Sequence, residues 1–205
     1  MLSFKHLFEG KSVHFMDIDD TTFHTSGEHG PKIKVKDKNT GEVTHSLSSS
    51  EFNTHKLEPH HEYDFSDFRD SKIFSKSKPI RPMLAKIKAI QKNGGRVEFN
   101  TARADLSDKG EVLDHFEKHG IDMDKSHIHR TGNDTSKKPI GDKKNDVVRK
   151  YLTKNPETKH VHLYDDAVSN LDAFHKLKGE YPDVKFTAHH VQPNGRAKVY
   201  HPQEK

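Results

Sequence analysis

The chain contains no cysteine, which excludes disulfides and thiolate metal ligands from any account of its stability or chemistry. It also lacks tryptophan. No stretch approaches the roughly 20 apolar residues needed to span a bilayer as a helix. The opening segment MLSFKHLFEGKSVHF has no apolar run of the kind that marks a secretory signal. A soluble, cytoplasmic protein is the expectation, with no membrane partner. No internal repeat is visible. Apolar residues are scarce at 30%, against 32% charged, and so low an apolar content raises disorder as a possibility. The spacing of the apolar residues argues against it, because they cluster at strand and helix periods. Nor is there a large excess of one charge sign. The net charge of +4 across 205 residues suits an anionic partner without specifying nucleic acid, and solvated lysine and glutamate on outer helix faces account for most of it.

Short apolar runs mark strands at 13–18 (VHFMDI), 96–101 (RVEFNT), 126–130 (SHIHR), 160–165 (HVHLYD) and 183–188 (DVKFTA). Helical spacing occupies the intervals. In 81–93, Pro82 fits the first helical position and Met83, Leu84, Ile87 and Ile90 recur at helix period before Gly94 and Gly95. Val112, Leu113 and Phe116 make a stripe in 106–119 with Gly120 as its cap. Val147, Val148, Tyr151 and Leu152 do so in 142–153. In 168–178 the stripe is Leu171, Phe174 and Leu177, with Gly179 after it. Strands alternating with helices of this length predict a parallel sheet covered on both faces. Ligands of such sheets sit at the carboxyl ends of the strands, here just after residues 18, 100 and 164.

Residues 22–79 interrupt the alternation. IKVKDKNTGEVTHSL reads as a β-hairpin turning at Asn-Thr-Gly, and Ser48 to Lys78 is polar, His-rich and poorly periodic. The expected organisation is a core of 1–21 and 80–205 with an insertion over 22–79, placed where it can shield a site. The tail from about 192 is polar and expected to fray.

Asp17-Ile18-Asp19-Asp20-Thr21 follows the first strand directly. Two carboxylates two residues apart at a strand end can face one pocket, where they are costly to bury without a cation. Hard oxygen donors suit Mg²⁺. Taken alone, the motif reads better as an Asp-rich turn capping the next segment.

Further motifs follow in order. Thr101 ends the strand in VEFNTAR. A lysine opens the helix in KKNDVV, with Lys144 the better placed and Lys143 the alternative. LYDDAVSN places Asp165, Asp166 and Asn170 after another strand. With FMDIDDTTF, this ordered set resembles the four motifs of the haloacid dehalogenase (HAD) superfamily over roughly residues 13–190, the insertion excepted. The resemblance implies a Rossmann-like α/β fold with a small β-rich cap insertion. It also implies a Mg²⁺-dependent phosphatase working through an aspartyl-phosphate. Asp17 would be the nucleophile and Asp19 the acid and base. Asp17, the carbonyl of Asp19, and Asp166 would hold the metal, with Asp165 and Asn170 around them. Thr101, a backbone N–H near Ala102, and Lys144 would bind the phosphate oxygens. Dehalogenase and phosphonatase members lack the second aspartate, so Asp19 favours phosphate esters. Asp20 is expected to cap the turn rather than bind metal. Arg103 is open between substrate phosphate and a salt bridge to a carboxylate such as Asp105.

The implied substrate is a phosphorylated small molecule or a nucleic-acid end. The basic balance and the aromatic, His-rich insertion lean towards a nucleotide or terminal phosphate. A sugar phosphate, a phosphoryl acceptor other than water, or a binding protein without catalysis are the alternatives. Of the 18 histidines, the His-x-His pairs can chelate on a strand, but solvated or hydrogen-bonded roles are expected. Phe52, Tyr63, Phe65, Phe68 and Phe74 are expected to form the insertion's own core rather than to stack on bases. Among the insertion's histidines, His45, His55, His60 and His61 have the better claim to substrate contact.

Overall fold

The computed structural model describes residues 11–26, 30–52 and 54–202. The start of the opening segment read above therefore lies outside them. A central six-stranded sheet is built from β1 (Lys11–Met16), β7 (Arg96–Thr101), β8 (Ile128–Arg130), β9 (Thr158–Asp165), β10 (Lys185–Val191) and β11 (Ala197–Val199). Its order is β11-β10-β9-β1-β7-β8. All pairings are parallel except that of β11 with β10. After the one-turn helices α1 (Ser49–Phe52) and α2 (Ser71–Phe74), the parallel connections carry α3 (Arg81–Lys92), α4 (Lys109–Lys118), α5 (Ile140–Lys154) and α6 (Val168–Glu180). The chain leaves β1 towards β7 and β8, then returns to β9 on the other flank. The strand order therefore reverses at β1, where a crevice opens at the carboxyl ends.

Alternation along each strand divides the core between two faces. Val13, Phe15, Val161, Leu163, Phe186 and Ala188 pack against Val148, Leu152, Leu171, Phe174 and Leu177 of α5 and α6. Met16, Val97, Phe99, Tyr164 and Val191 pack against Met83 and Ile87 of α3 and Val112 and Phe116 of α4. Phe15, Phe23, Phe74, Phe99, Phe116 and Phe174 are fully buried. Each contributes roughly 1.5–3 kcal/mol of burial, so a chain poor in apolar residues still closes two cores.

The helix ends follow local chemistry. Pro82 lies in the first turn of α3. Gly94 and Gly120 follow α3 and α4 with φ of 77° and 75°, the left-handed conformation that glycine adopts freely. Four expectations are corrected. Helix α4 starts at Lys109 because the Asp108 side chain accepts from Glu111 N–H, and Leu113 is exposed at 40%. Helix α6 continues through Gly179 to Glu180. The tail does not fray over its described length, since β11 pairs with β10.

Between β1 and α3 the chain forms a second, smaller sheet. The hairpin strands β3 (Ile33–Asp37) and β4 (Val43–Leu47) are joined by β5 (His61–Asp64) in the order β4-β3-β5. That third strand lies in the stretch read as unpatterned. Ile33, Val35 and Leu47 form its core, with Phe52, Tyr63 and Phe68 against them. Phe65 is exposed and Phe74 belongs to the main core instead. Strand β2 (Phe23–His24) pairs antiparallel with β6 (Lys78–Pro79), so the two ends of this stretch leave and rejoin the main sheet side by side, at the carboxyl end of β1.

Candidate active site

Asp17 is the first residue beyond β1. Its N–H donates to Tyr164 O (2.9 Å), which extends the β1–β9 ladder to the strand ends and leaves the side chain buried at their tips. The backbone then turns at once. Thr22 Oγ1 donates to Asp17 O (2.6 Å), and Thr22 and Phe23 N–H both donate to Ile18 O. Asp20 holds the turn with φ 51°, a conformation aspartate tolerates. Its Oδ1 accepts from Thr25 N–H, Ser26 N–H and Ser26 Oγ. The capping role expected of Asp20 is what the hydrogen bonds show.

Lys144 lies in the second turn of α5, buried and donating to Asp17 Oδ1 (2.7 Å) and Asp165 Oδ2 (2.6 Å). Lys143 turns away, its Nζ donating to Asp134 O (2.6 Å), so the choice between the two lysines falls on Lys144. Asn100 Nδ2 donates to Lys144 O and pins this turn of α5 to β7. Asp165 is fully engaged: besides Lys144 it accepts from Asn170 Nδ2 on both oxygens and from Ala167 N–H. Asp166 accepts from Thr21 Oγ1 (3.3 Å).

Asp19 faces the same crevice from the other side. Arg103 Nε donates to both its oxygens (3.1 and 2.9 Å), and Arg103 Nη2 donates to Oδ1 (2.6 Å). The partner of Arg103 is thus Asp19 and not Asp105, whose ion pair is with Arg130 (3.5 Å). Arg103 is itself buried. Its Nη1 donates to Phe68 O, and its guanidinium lies 5.1 Å from the ring centres of Phe68 and Phe74. Thr101 Oγ1 accepts from Arg103 N–H (3.1 Å) and lies 3.5 Å from Asp19 Oδ2. Ala102, between them, is exposed.

The structure therefore gathers Asp17, Asp19, Thr101, Ala102, Arg103, Lys144, Asp165, Asp166 and Asn170 around one crevice. Sequence reasoning did not single out Thr21 or Gly132, and it gave Phe68 only as part of the insertion's core. Thr21 stood inside the Asp-rich motif, and its hydroxyl was the available signal. Phe68 acts through its carbonyl and ring face, which no local pattern announces. Gly132 passes so close to the Ala102–Ala104 backbone that an added Cβ would lie 2.4 Å from Ala102 O. A glycine two residues past a strand was its only trace.

Asp17, Asp165 and Asp166 bring one carboxylate oxygen each within 4.8 Å of one another. Three acids face one ammonium, so the buried site carries excess negative charge. Burial raises the Asp17 pKa well above the ordinary carboxylate range, against the opposing pull of Lys144. Burial, then Asp165 and Asp20, push Asp166 up to about 7. Burial works against the Lys144 ammonium, but Asp165 and Asp17 outweigh it and raise its pKa. Such a site takes up a proton or a hard cation. Asp17 and Asp166, with oxygens to spare, are the natural ligands, whereas Asp165 is occupied by its three donors.

A second group, Asp37, His60 and His61, lies near the β3–β4 turn. There Asp37 Oδ1 already accepts from Asn39 and Thr40 N–H. His45 and His55 pair with each other (3.2 Å). Among the described residues no helix is long and apolar enough to cross a membrane.

Comparison with protein-family models gives no match to this chain, and comparison with curated proteins gives none either. Its chemistry is read from these side chains themselves.

Proposed function

We propose that the chain is a Mg²⁺-dependent phosphomonoesterase of the HAD type, acting through an aspartyl-phosphate on Asp17. The carrying observation is the buried Lys144 ammonium joining Asp17 to Asp165, with Asp166 completing an over-charged acidic site and Asp19 two residues beyond the nucleophile. The donor set fits a hard divalent cation, which Asp17 and Asp166 would hold together with the carbonyl of Asp19. When bound, that ion would offset the charge of nucleophile and phosphate and polarise the phosphoryl oxygens.

The protein's own groups then have separable tasks. A carboxylate oxygen of Asp17 forms a bond to phosphorus as the ester P–O bond breaks, and Lys144 keeps that carboxylate in place. Asp19 gives its proton to the departing oxygen. It later takes one from the water that cleaves the aspartyl-phosphate, which returns Asp17 and releases phosphate. Thr101 Oγ1, the Ala102 backbone and Lys144 line the position of the non-bridging oxygens. Arg103 positions Asp19 rather than phosphate, and it must loosen one of its bonds for Asp19 to carry a proton. Because Arg103 also holds Phe68 O, that adjustment couples the acid to the small β3–β5 sheet, which we read as a cap. The basic balance and the aromatic, His-rich insertion lean the proposed substrate towards a nucleotide or a nucleic-acid terminal phosphate, with a sugar phosphate the alternative.

The test is phosphate release from p-nitrophenyl phosphate, 5′- and 3′-nucleotides, sugar phosphates and end-phosphorylated oligonucleotides. Each is assayed with and without Mg²⁺, for the wild type and Asp17→Asn. Release that needs Mg²⁺ and vanishes in a folded Asp17→Asn is the expected result. A near wild-type rate in that variant, or no release from any ester by folded, Mg²⁺-supplied protein, overturns the proposal.

A further inference from the structure

The α5 side of the sheet is unevenly covered. The helices α5 and α6 bury Val13, Phe15, Val161 and Leu163 of β1 and β9. Among the described residues no further helix on this side covers β7 and β8. Alternation turns Glu98 and His129 of those strands towards this face rather than apolar residues. A trough of about 930 Å³ results, walled by the carboxyl-terminal half of α5 and floored by β7 and β8.

Its charge is lopsided. Lys11, Arg96, Arg130, Lys150 and Lys154 line it, against Glu98 and Glu157. Both carboxylates are already used. Glu157 accepts from Lys11 (3.0 Å), and Glu98 is held by Arg96 and His129. Lys150 and Lys154 are exposed and make no ion pair among the described residues. They stand one helical turn apart, roughly 6 Å. Arg130 lies opposite Thr101 across the β7–β8 pairing, some 17 Å from Arg96 at the strand rise. The cations therefore track a line longer than one nucleotide. Rings are interleaved with them: His127 is exposed, and His129 and Tyr151 are half-buried in the walls.

We infer that this trough binds single-stranded nucleic acid, its phosphates on Lys150 and Lys154 and its bases against His127 and Tyr151. A positive groove with interleaved rings matches unpaired bases, whose faces a duplex hides. The trough lies mostly at the amino ends of β1 and β7, away from Asp17; of its lining only Arg130, opposite Thr101 and paired with Asp105 (3.5 Å), reaches the carboxyl end. The inference therefore stands whether or not the carboxyl-end site hydrolyses phosphate esters.

The experiment is fluorescence anisotropy of a labelled oligothymidylate without terminal phosphate, titrated with wild type and with Lys150→Glu/Lys154→Glu over a salt series. Both substitutions sit on the exposed face of α5, and an unchanged melting temperature verifies the fold. The double variant should bind at least tenfold more weakly. Its plot of log affinity against log salt should be shallower by about 1.4, from two lost contacts at about 0.7 each. Lys150→Gln/Lys154→Gln, which adds no repelling charge, should reproduce the shallower slope. Wild type that does not bind the oligomer at low salt overturns the inference. So does equal affinity in the variants, or a duplex of the same sequence bound as tightly as the single strand.

Discussion

Replacing Lys144 by methionine keeps the length of the side chain and removes its charge. Asp17, Asp165 and Asp166 would then share a buried site with no ammonium among them. Breaking a buried ion pair by removing one partner costs about 3–5 kcal/mol. In a chain of this size each kcal/mol moves the melting temperature by about 2–4 °C, so a fall of roughly 6–20 °C is expected in EDTA at pH 8. The sign of the pH dependence follows from the carboxylates. Asp17 is raised by burial and Asp166 is raised from 3.8 to about 7, and loss of Lys144 raises both further. At pH 5 Asp166 is protonated and Asp17, raised by burial, is closer to protonation, so the missing ammonium matters less. The deficit between variant and wild type should therefore shrink from pH 8 to pH 5. Asp17→Asn in the Lys144→Met background should recover part of the loss, because it removes one of the unpaired charges. Urea unfolding of wild type, Lys144→Met, Asp17→Asn and the double variant at both pH values measures all of this. A loss below about 1 kcal/mol at pH 8, or one equal at both pH values, would refute the charge balance derived for the site.

Gly132→Ala places a Cβ 2.4 Å from Ala102 O and 2.5 Å from Ala104 N–H nitrogen. Both are backbone atoms, so no rotamer change relieves the clash. A loss of about 1–3 kcal/mol is expected, and thermal denaturation checks it; an unchanged melting temperature refutes the close approach. Below neutral pH, the histidines under α3 should govern stability. His14 stacks on His162 at 4.3 Å, and His162 Nδ1 lies 3.0 Å from His189 Nε2. Burial first, then neighbouring cationic side chains, lowers His14 and His189 from 6.5 to about 4 and His162 to about 2. They are held neutral in the fold, while the unfolded chain protonates near 6.5. Their contribution is present above 6.5 and is lost as pH falls towards 4. Allowing for their partial exposure, the slope should be about 2 kcal/mol per pH unit. Urea titrations from pH 7 to 5 that show a flat profile refute it.

Strands β1, β7 and β9 of the main sheet were legible because their carboxyl-end residues are mostly buried, which short apolar stretches such as VHFM and RVEF announce directly. The third strand of the small sheet was not. His61, Glu62, Tyr63 and Asp64 are intermediate or exposed, so no alternation betrays a strand whose stability comes from hydrogen bonds to β3. Strand β11 escaped for the same reason, since Lys198 and Val199 are exposed. Leu113 was misplaced by phase. Val112 and Phe116, four apart, share the buried side of α4, and Leu113 lies about 100° around the helix from Val112. The partner of Arg103 was hidden by distance, because Asp19 is 84 positions away in the chain and only the folded crevice brings them together.

The choice of lysine, by contrast, was decidable from α5 alone. Val148 and Leu152 face the sheet as buried residues, and Lys144 stands four positions before Val148 on the same stripe. Lys143 shares its side with Val147 and Tyr151, both half-buried. A lysine on the fully buried stripe cannot be left unpaired, since an isolated interior ammonium is far too costly. At the amino end of α5 that stripe meets the carboxyl ends of β1 and β9, where the sequence places Asp17 and Asp165. Helix phase and the cost of burying charge together require the Lys144 bridge, and with it an acidic cluster of Asp17, Asp165 and Asp166 that could hold a metal ion.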